Sequence, residues 1–315
     1  MTGTAASRRL EYLAFSGVTI DLAVRVPRVP QPGERIGMVP LGEYAGGMAG
    51  NAASAFATLG GAAGVVSTVG DDVRGRIAID DLRARGVGTT WICTVGEPTL
   101  WTIALLTPEG DRTLLEFPVP APEAKYERFP AGALDGVRFI HVGASEGASA
   151  LPVMEEARRQ GATVALDLES LGVEIAAIPE MLGASDVVFV NARAARAFGD
   201  DVLTAVERLH DLGPSTILAT GGAAGCTLRA QDGRISRIPA HPVTPVDTTG
   251  AGDCFAGAFA FGRTRGWPDE ESAQLANLMA AISTTAMGSR GHLATQGELG
   301  MLARAAGLAV AGRLP

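Results

Sequence analysis

The amino-acid sequence predicts an α/β protein: a doubly wound, mostly parallel central sheet with helices on both faces, plus a small accessory β-sheet. In the second half of the chain, short apolar strands alternate with helical segments, which indicates a parallel sheet covered on both faces. In the first half, two strand-like runs flank Pro108-Glu-Gly-Asp111, the pattern of a hairpin. With 315 residues, 47% of them hydrophobic, the chain is long enough for one large domain spanning residues 1–315.

The first part of the chain contains strands and two helices. A Pro-rich bend, Pro27–Gly33, separates the first two strands from a further extended piece, and Gly60-Gly61 ends the first helix as a C-cap would. The predicted elements are, in chain order, strands Tyr12–Phe15 and Val18–Val26, the extended piece Glu34–Leu41, helix Ala52–Leu59, strand Ala63–Val69 and helix Gly75–Arg85.

The accessory sheet is predicted from the hairpin strands Thr99–Thr107 and Arg112–Phe117, joined by the extended piece that begins at Glu34. Its strands therefore come from approximately residues 34–44 and 98–118. We expect this sheet to stand apart from the main body.

The second half supplies most of the central sheet. Its predicted strands are Phe139–Val142, Thr163–Leu166, Asp186–Val190 and Thr216–Ala219, and its helices are Ala150–Gln160, Glu174–Leu182 and Val202–Leu212. A hairpin of Thr227–Ala230 and Arg234–Ile238 follows, and helices of roughly Glu270–Met287 and Gln296–Val310 close the chain. Ligands bind at the carboxyl ends of such strands, which makes Asp21, Asp167, Asn191 and Thr220 candidate site residues.

The stretch Asp247-Thr-Thr-Gly-Ala-Gly-Asp253 carries the clearest chemical signal. It precedes an apolar run in which Phe255 and Phe259 are four residues apart, so the run is predicted to be a helix with a buried face. The loop before it exposes N–H groups at the positive end of the helix dipole, where an anion can bind. Asp253 stands in the first turn, and a carboxylate beside a bound phosphate needs a task, such as taking a proton from an attacking hydroxyl.

Composition excludes several classes of protein. The formal net charge is −8 and there is no run of Lys or Arg, so the sequence lacks the basic patch typical of nucleic-acid-binding proteins. No uninterrupted apolar stretch reaches the roughly 20 residues that cross a bilayer. The three cysteines are far apart, which predicts buried thiols rather than a zinc site or a disulfide. We expect a cytoplasmic protein that binds neither membranes nor nucleic acid.

Several motifs occur together in a fixed order. Gly17-Val-Thr-Ile-Asp21 is followed by Pro30-Gln-Pro-Gly-Glu34, by Gly46-Gly-Met-Ala-Gly-Asn51, by Thr220-Gly-Gly-Ala-Ala-Gly225 and by Asp247–Asp253. This set resembles the ribokinase family of sugar kinases, the phosphofructokinase-B-like kinases. The resemblance covers nearly the whole chain and implies a ribokinase-like fold and ATP-dependent phosphorylation of a small sugar or sugar derivative.

The resemblance also implies residue roles. Asp253 matches the general base, and Gly250, Ala251 and Gly252 match the backbone anion hole that stabilises the transferred phosphoryl group. The residues that match contacts to the sugar are Asp21, Gly46, Gly47 and Asn51, with Trp101 as a residue of the lid, formed by the accessory sheet, that faces the sugar. For Trp101 the alternative is an aromatic residue of the lid-sheet core or of a dimer contact.

On the nucleotide side, Thr220, Gly222 and Gly225 match the loop over ATP, Asn277 lies where a residue lines the adenine pocket, and Asn191 matches a contact to phosphate or a metal-bound water. ATP implies Mg²⁺. Asp247 and Thr249 match the start of a monovalent-cation loop, for K⁺, that carbonyls near Thr284–Ser289 complete. Relatives commonly form homodimers through the lid.

The sequence departs from the family pattern in two places. Many relatives carry a Glu three residues after the Asn, where this chain has Asn191-Ala-Arg-Ala194, and ribokinases proper commonly have Lys where this chain has Met48. Two alternatives stay open: a nucleoside kinase of the same family, and a sugar or nucleotide sensor without turnover. Ribose, fructose, a ketodeoxy-acid and a charged ketose all remain candidate sugars. Arg112 and Arg138 would be the residues to test for an anionic one.

Overall fold

Thirteen strands lie within the part of the chain that the computed structural model describes, residues 9–108, 112–118, 121, 123–168 and 176–315. In chain order they are β1 (Tyr12–Phe15), β2 (Thr19–Arg25), β3 (Val39–Gly46), β4 (Ala63–Gly70), β5 (Gly88–Val95), β6 (Trp101–Leu106), β7 (Arg112–Glu116), β8 (Phe139–Gly143), β9 (Thr163–Leu168), β10 (Val187–Asn191), β11 (Thr216–Thr220), β12 (Cys226–Arg229) and β13 (Ile235–Ile238).

The α-helices of the same residues connect these strands and close the chain. They are α1 (Met48–Thr58), α2 (Val73–Ala84), α3 (Ala124–Arg128), α4 (Leu151–Arg159), α5 (Ile178–Gly183), α6 (Ala192–Ala195), α7 (Val202–Asp211), α8 (Ala251–Thr264), α9 (Asp269–Ser283) and α10 (Gln296–Ala305). Short 3₁₀ turns occupy Ala131–Leu134, Ala144–Ala150, Gly222–Ala224 and Ala309–Arg313.

A nine-stranded sheet forms the centre of the molecule, in the order β13-β12-β11-β10-β9-β8-β1-β4-β5. Its strands are parallel except for the antiparallel pairs β11–β12 and β12–β13. Strand β4 is buried along all eight residues, as a parallel strand covered on both faces must be. One apolar cluster packs on each face of the sheet. The predicted α/β class, with a mostly parallel central sheet, is confirmed.

A second sheet of four strands has the order β3-β2-β6-β7. Strand β2 pairs antiparallel with β3 and parallel with β6, so it belongs to this accessory sheet, although the sequence prediction did not include it there. Two adjacent apolar strands give the same sequence pattern whether the chain continues in one sheet or crosses to another. Only strand pairing shows that the chain passes from the central sheet to the accessory sheet between β1 and β2.

Several element boundaries differ from the predictions. The extended piece predicted at 34–41 is a strand at Val39–Gly46, and the predicted helix Ala52–Leu59 begins four residues earlier, at Met48. Strand β5 was not predicted: it is an edge strand of half-buried and exposed residues, with Gly88, Thr89 and Thr90 at its start, and it lacks a clear apolar period. The predicted helix 174–182 is Ile178–Gly183, and residues 174–175 lie outside the described residues.

Helix α8 is fixed on the sheet by aromatic packing. Phe255 and Phe259 are buried, and their rings meet Phe189 of β10 edge-on at centroid distances of 6.3 and 5.6 Å. Each buried ring contributes roughly 1.5–3 kcal/mol through the hydrophobic effect. A Cβ on Gly257 would lie 2.2 Å from the carbonyl oxygen of Ala52, so this glycine lets α8 and α1 approach backbone to backbone. This contact brings the first turns of the two helices together.

Candidate active site

A cavity of about 780 Å³ is lined by residues of both sheets. Its lining residues come from the accessory sheet, from the carboxyl ends of three central strands, from the N-terminal turns of α1 and α8 and from the loops at 247–249 and 288–289. Those with polar side chains include Thr19, Asp21, Tyr44, Thr102, Asn51, Asp167, Asn191, Thr220, Asp247, Thr249, Asp253 and Ser289, and the backbone at Gly47, Gly250, Ala251 and Gly252 also lines the cavity. Most residues singled out from the sequence therefore meet in one place.

The N-terminus of α8 opens onto this cavity. Gly250 caps the helix in the left-handed conformation, with φ of 73°. A Cβ there would lie 2.5 Å from Ser289 Cβ and 2.9 Å from Asn51 Nδ2, so both the backbone angle and the space require glycine. The first N–H groups of a helix have no acceptor within it. Gly250, Ala251 and Gly252 thus line the cavity where backbone donors and the helix dipole favour an anion.

Asp253 lies in the first turn of α8, half-buried at the cavity wall. Burial raises the pKa of its carboxyl to about 6, and the negative charge of Asp167 adds to the rise. The hydrogen bond from Asn51 Nδ2 to Asp253 Oδ2, 2.7 Å long, and the charges of His141 and Arg290 oppose it. A carboxylate with this pKa is ionised at neutral pH yet basic enough to accept a proton from a hydroxyl.

Asn51 is held by a network that the sequence analysis missed. Its Oδ1 accepts hydrogen bonds from Ser289 Oγ at 2.9 Å and from Arg290 Nε at 2.8 Å. Arg290 also donates to Asp81 Oδ2 at 2.6 Å. Arg290 and Asn51 are 239 positions apart in the chain, so no local pattern announces the contact.

Of the residues predicted to contact the sugar, Asp21, Gly47 and Asn51 line the cavity, whereas Gly46 and Trp101 do not. Asp21, on β2, accepts from Thr19 Oγ1 at 3.4 Å. A Cβ on Gly46 would lie 2.4 Å from Asp21 Oδ2, and a Cβ on Gly47, whose φ is 88°, would lie 2.5 Å from the carbonyl oxygen of Gly17. These two glycines let the end of β3 pass close to Asp21, which places its carboxylate beside the start of α1.

Trp101 corrects one prediction. Its neighbour Thr102 lines the cavity, and side chains alternate between the faces of a strand, so Trp101 lies on the opposite face of the accessory sheet. There its ring stacks with Phe117 at 6.4 Å, and the guanidinium of Arg74 lies 4.6 Å from the ring centroid. The residues of β6 that line the cavity are Thr102, Ala104 and Leu106.

The loop that begins at Asp247 is folded against the end of α9. Asp247 Oδ1 accepts from the backbone N and the Oγ1 of Thr249, and its Oδ2 accepts from the backbone N of Gly288 at 2.9 Å. The carbonyl of Thr284 accepts from the backbone N of Asp247 at 3.1 Å. The stretches 247–249 and 284–289, which the family resemblance joins in a cation loop, are thus neighbours.

The residues predicted on the nucleotide side divide into two groups. Asn191 and Thr220 line the cavity, and Asn191 Oδ1 also caps α6 by accepting from the backbone N of Arg193 and Ala194. Gly222, Gly225 and Asn277 are not among the described residues that line it. Asn277 is buried, and its Nδ2 donates to the carbonyls of Ile238 and Pro239, so it fixes the chain after β13.

A buried polar chain lies beneath the two carboxylates. Tyr12 Oη is 2.8 Å from His141 Nδ1, and His141 Nε2 is 3.3 Å from Asp167 Oδ2, though outside hydrogen-bond geometry. Asp167 lines the cavity and its charge acts on Asp253. Asp167 was a candidate from its position at a strand end, whereas the buried partner His141 had no sequence signal.

Metal ligands are sparse in the described part of the chain. No group of three or more His, Cys, Asp or Glu side chains there is arranged to hold a metal ion. Glu169, which follows Asp167 in the sequence, lies outside the described residues. Asp167 and Asn191, which line the cavity, carry oxygen atoms of the kind that Mg²⁺ prefers.

Comparison with known proteins gives a consistent family. The profile of the pfkB family carbohydrate kinases matches residues 11–296. Ribokinase of Bacillus subtilis is 29% identical over 290 residues, which cover 89% of this chain and 95% of the relative. Fructokinase of Klebsiella pneumoniae is 29% identical over 279 residues, covering 81% and 90%.

Solved structures agree with the fold. Ribokinase of Thermotoga maritima superposes with a TM-score of 0.83 at 24% identity, covering 94% of this chain and 99% of the other. Adenosine kinase of Sinorhizobium meliloti gives a TM-score of 0.81 at 25% identity, covering 95% and 100%.

Among the helices that the structure describes, none combines the length and apolarity that crossing a membrane requires.

Proposed function

Because the chain belongs to the pfkB family of carbohydrate kinases, we propose that it transfers the γ-phosphoryl group of ATP to a hydroxyl of a small sugar or sugar derivative of the ribose or ketose type. The observation that carries the proposal is the placement of Asp253. It is a half-buried carboxylate with a raised pKa, in the first turn of a helix whose N-terminus lines the same cavity as Asp21 and Asn51.

In the proposed mechanism, Asp21 and Asn51 bind the sugar so that one hydroxyl lies against Asp253. The Oδ2 of Asp253 is engaged by Asn51, which leaves Oδ1 to accept the hydroxyl proton. The oxygen then attacks the γ-phosphorus, and the bond from that phosphorus to the bridging oxygen of ADP breaks. The proton rests on Asp253, whose pKa near 6 lets it return to solvent at neutral pH after product release.

The N-terminus of α8 supplies the electrostatic part of the proposed reaction. Backbone N–H groups at Gly250–Gly252 and the helix dipole point to where negative charge develops on the transferred group. Phosphoryl transfer depends mainly on positioning and on such stabilisation. Bound Mg²⁺ would neutralise phosphate charge, with Asp167 and Asn191 as the nearest polar groups. The loop at Asp247 and Thr249 is proposed to hold K⁺ through backbone carbonyls.

The test is ADP release measured across a panel of ribose, fructose, a ketodeoxy-acid and a charged ketose, for the wild type and for Asp253→Asn. We expect one sugar to give turnover that falls by a factor of about 10³ or more in the variant. Equal turnover in both proteins would refute Asp253 as the base. Sugar binding without turnover in the wild type would favour the sensor alternative.

A nucleoside kinase is the second candidate. Its support is the likeness to an adenosine kinase, at an identity similar to that of the ribokinases, together with Met48 where ribokinases proper commonly have Lys. Adding adenosine and other nucleosides to the same panel separates the two. Phosphorylation of a nucleoside, with no pentose or ketose accepted, would establish this alternative.

Dimerisation through the accessory sheet is proposed from its outer face. Trp101 and Phe117 stack there, and Leu115, which pairs with Ile103 further along the same two strands, is 55% exposed. An apolar sheet face of this kind fits a second copy of the chain. Light scattering of the wild type should give a dimer mass, and Leu115→Glu a monomer. A monomeric wild type at micromolar concentration would refute the proposal.

A further inference from the structure

Arg290 lies behind the cavity wall and directs three donors to three different elements. It is 4% exposed. Its Nε donates to Asn51 Oδ1 in α1 at 2.8 Å, its Nη1 to Asp81 Oδ2 in α2 at 2.6 Å, and its Nη2 to the carbonyl of Gly46 at the end of β3. The planar guanidinium suits this arrangement because its donors diverge at fixed angles, which a lysine ammonium cannot reproduce.

These contacts determine which way the amide of Asn51 points. Oδ1 accepts from two donors, Ser289 Oγ and Arg290 Nε, so Nδ2 must lie on the other side. That side is Asp253, whose Oδ2 receives the hydrogen bond at 2.7 Å. A flipped amide would set an oxygen against a carboxylate oxygen and an amino group against a guanidinium. Arg290 therefore imposes a single orientation.

The position of Arg290 also joins the accessory sheet to the cation loop. Arg290 directly follows Ser289 in the chain. The Oγ of Ser289 donates to the carbonyl of Ala45 at 3.2 Å as well as to Asn51. The turn at 288–291 thus holds the last two carbonyls of β3 and the amide of Asn51 together. Buried ion pairs such as Arg290–Asp81 add little net stability, so a role in geometry explains this arrangement better than a role in folding energy.

We propose that Arg290 is a positioning residue for phosphoryl transfer, which fixes the amide of Asn51 and through it aims the carboxylate of Asp253. Arg290 does not line the cavity, so it acts through Asn51 rather than on the substrate. This inference rests on the proposed function, with Asp253 as the base.

The direct test compares Arg290→Met and Arg290→Lys with the wild type over a range of pH. We expect kcat to fall about 10- to 100-fold while KM for ATP changes less than about threefold, because a misdirected base slows the chemical step. The acidic limb of the kcat/KM profile should move to higher pH. Both the Asn51 hydrogen bond and the Arg290 charge favour the ionised carboxyl of Asp253, and the variants lose or misalign them. Arg290→Lys should restore little of the lost kcat, because an ammonium group cannot reproduce the diverging donors of the guanidinium.

Arg265→Met serves as the matched control. Arg265 forms a similar two-point pair with Glu11 at the far end of α8, away from the cavity. We expect it to lower the melting temperature without moving the pH profile. If Arg290→Met does not fold, Arg290→Met combined with Asp81→Leu removes the whole ion pair and replaces it with apolar groups, while still freeing the amide.

An unchanged kcat and pH profile in a folded Arg290 variant would overturn the inference. A second readout does not depend on turnover: ¹³C NMR titration of the Asp253 carboxyl should show a higher pKa in Arg290→Met than in the wild type and in Arg265→Met. If Asp253→Asn leaves wild-type activity intact, Asp253 is not the base and the premise of the inference fails. If the wild type phosphorylates no compound of the panel, the proposed function fails on its own. An unchanged Asp253 titration in Arg290→Met would instead overturn the inference about Arg290 alone.

Discussion

The raised pKa of Asp253 lowers the stability of the folded protein and makes its carboxylate a stronger base. Its pKa, raised from 3.8 to about 6 by burial and by Asp167, means that the folded protein carries its charge at a disadvantage. Each pKa unit corresponds to about 1.4 kcal/mol, so the penalty approaches about 3 kcal/mol at neutral pH. A carboxylate that keeps its charge at this position therefore costs stability, and groups with a pKa perturbed in this way are typical of functional sites.

The pH dependence of Asp253 follows from that shift. As a base it must be ionised, so kcat/KM should fall about tenfold per unit as pH drops below about 6. For stability the sign is opposite: the folded pKa is raised, so the penalty is absent below the unfolded pKa and complete above about 6. Asp253→Asn should therefore stabilise the protein at pH 7.5 and not at pH 4, as measured by urea unfolding. Equal effects at both pH values would contradict this.

Gly250 cannot be replaced without moving its neighbours. Its φ of 73° costs a residue with a Cβ about 1–2 kcal/mol, and the added atom would meet Ser289 and the amide of Asn51. Gly250→Ala should lower the free energy of unfolding by about that amount or more and reduce kcat by at least about 100-fold. Gly297→Ala, in the first turn of α10 with nothing near its Cβ, is the control and should leave both unchanged or raise stability.

The N-terminal turns of two helices, α1 and α8, line the cavity, and Gly257 determines how closely these helices approach. An added Cβ would lie 2.2 Å from the carbonyl oxygen of Ala52, a backbone atom that cannot rotate away. Gly257→Ala should therefore separate α1 from α8, cost about 1–3 kcal/mol of stability and lengthen the contact of Asn51 with Asp253. A drop in kcat of about tenfold, with Gly297→Ala as control, is the expected measurement; wild-type kcat would refute the coupling.

One face of the accessory sheet lines the cavity, and Trp101 packs against Phe117 on the other. Asp21 and Thr102 are paired in register and line the cavity, whereas Trp101 lies on the outer face. Asp21→Asn should raise KM for the sugar about tenfold or more, because an acceptor for its hydroxyls is lost. Trp101→Phe should leave that KM within about twofold. A larger effect from Trp101 than from Asp21 would reverse the assignment of faces. Initial rates across sugar concentrations measure both.

The whole molecule closes a cavity between two sheets, so substrate binding should stabilise it globally. A sugar at 100 times its dissociation constant adds about 2.7 kcal/mol to the free energy of unfolding. Thermal shift across the sugar panel should therefore identify the substrate without turnover, and Asp253→Asn should retain most of that shift. Asn51→Ala should lose it, since it removes a proposed sugar contact. A panel with no shift in any sugar would argue against a sugar as the acceptor.

The sequence by itself determined the class of fold, the strand–helix order of the second half and the loop entering α8. Those signals are local: apolar periods of 2 and 3.6, glycines that end helices, and small residues in front of an apolar run. The same locality explains why Asp247–Asp253 was found before any contact was known. Asp21 and Asn51 followed from motif order, and the structure brings both to the cavity.

Only the tertiary structure decided which sheet β2 joins, which face of β6 meets the cavity, and what orients Asn51. Strand pairing and facing depend on partners far along the chain, as with Asp21 and Thr102 or Arg290 and Asn51. The half-buried edge strand β5 escaped prediction because an edge has no clear apolar period. The heptapeptide Asp247–Asp253 was therefore enough to predict Asp253 as a candidate base. Its raised pKa could not be predicted, because burial and the charge of Asp167 act on it only once the chain has folded.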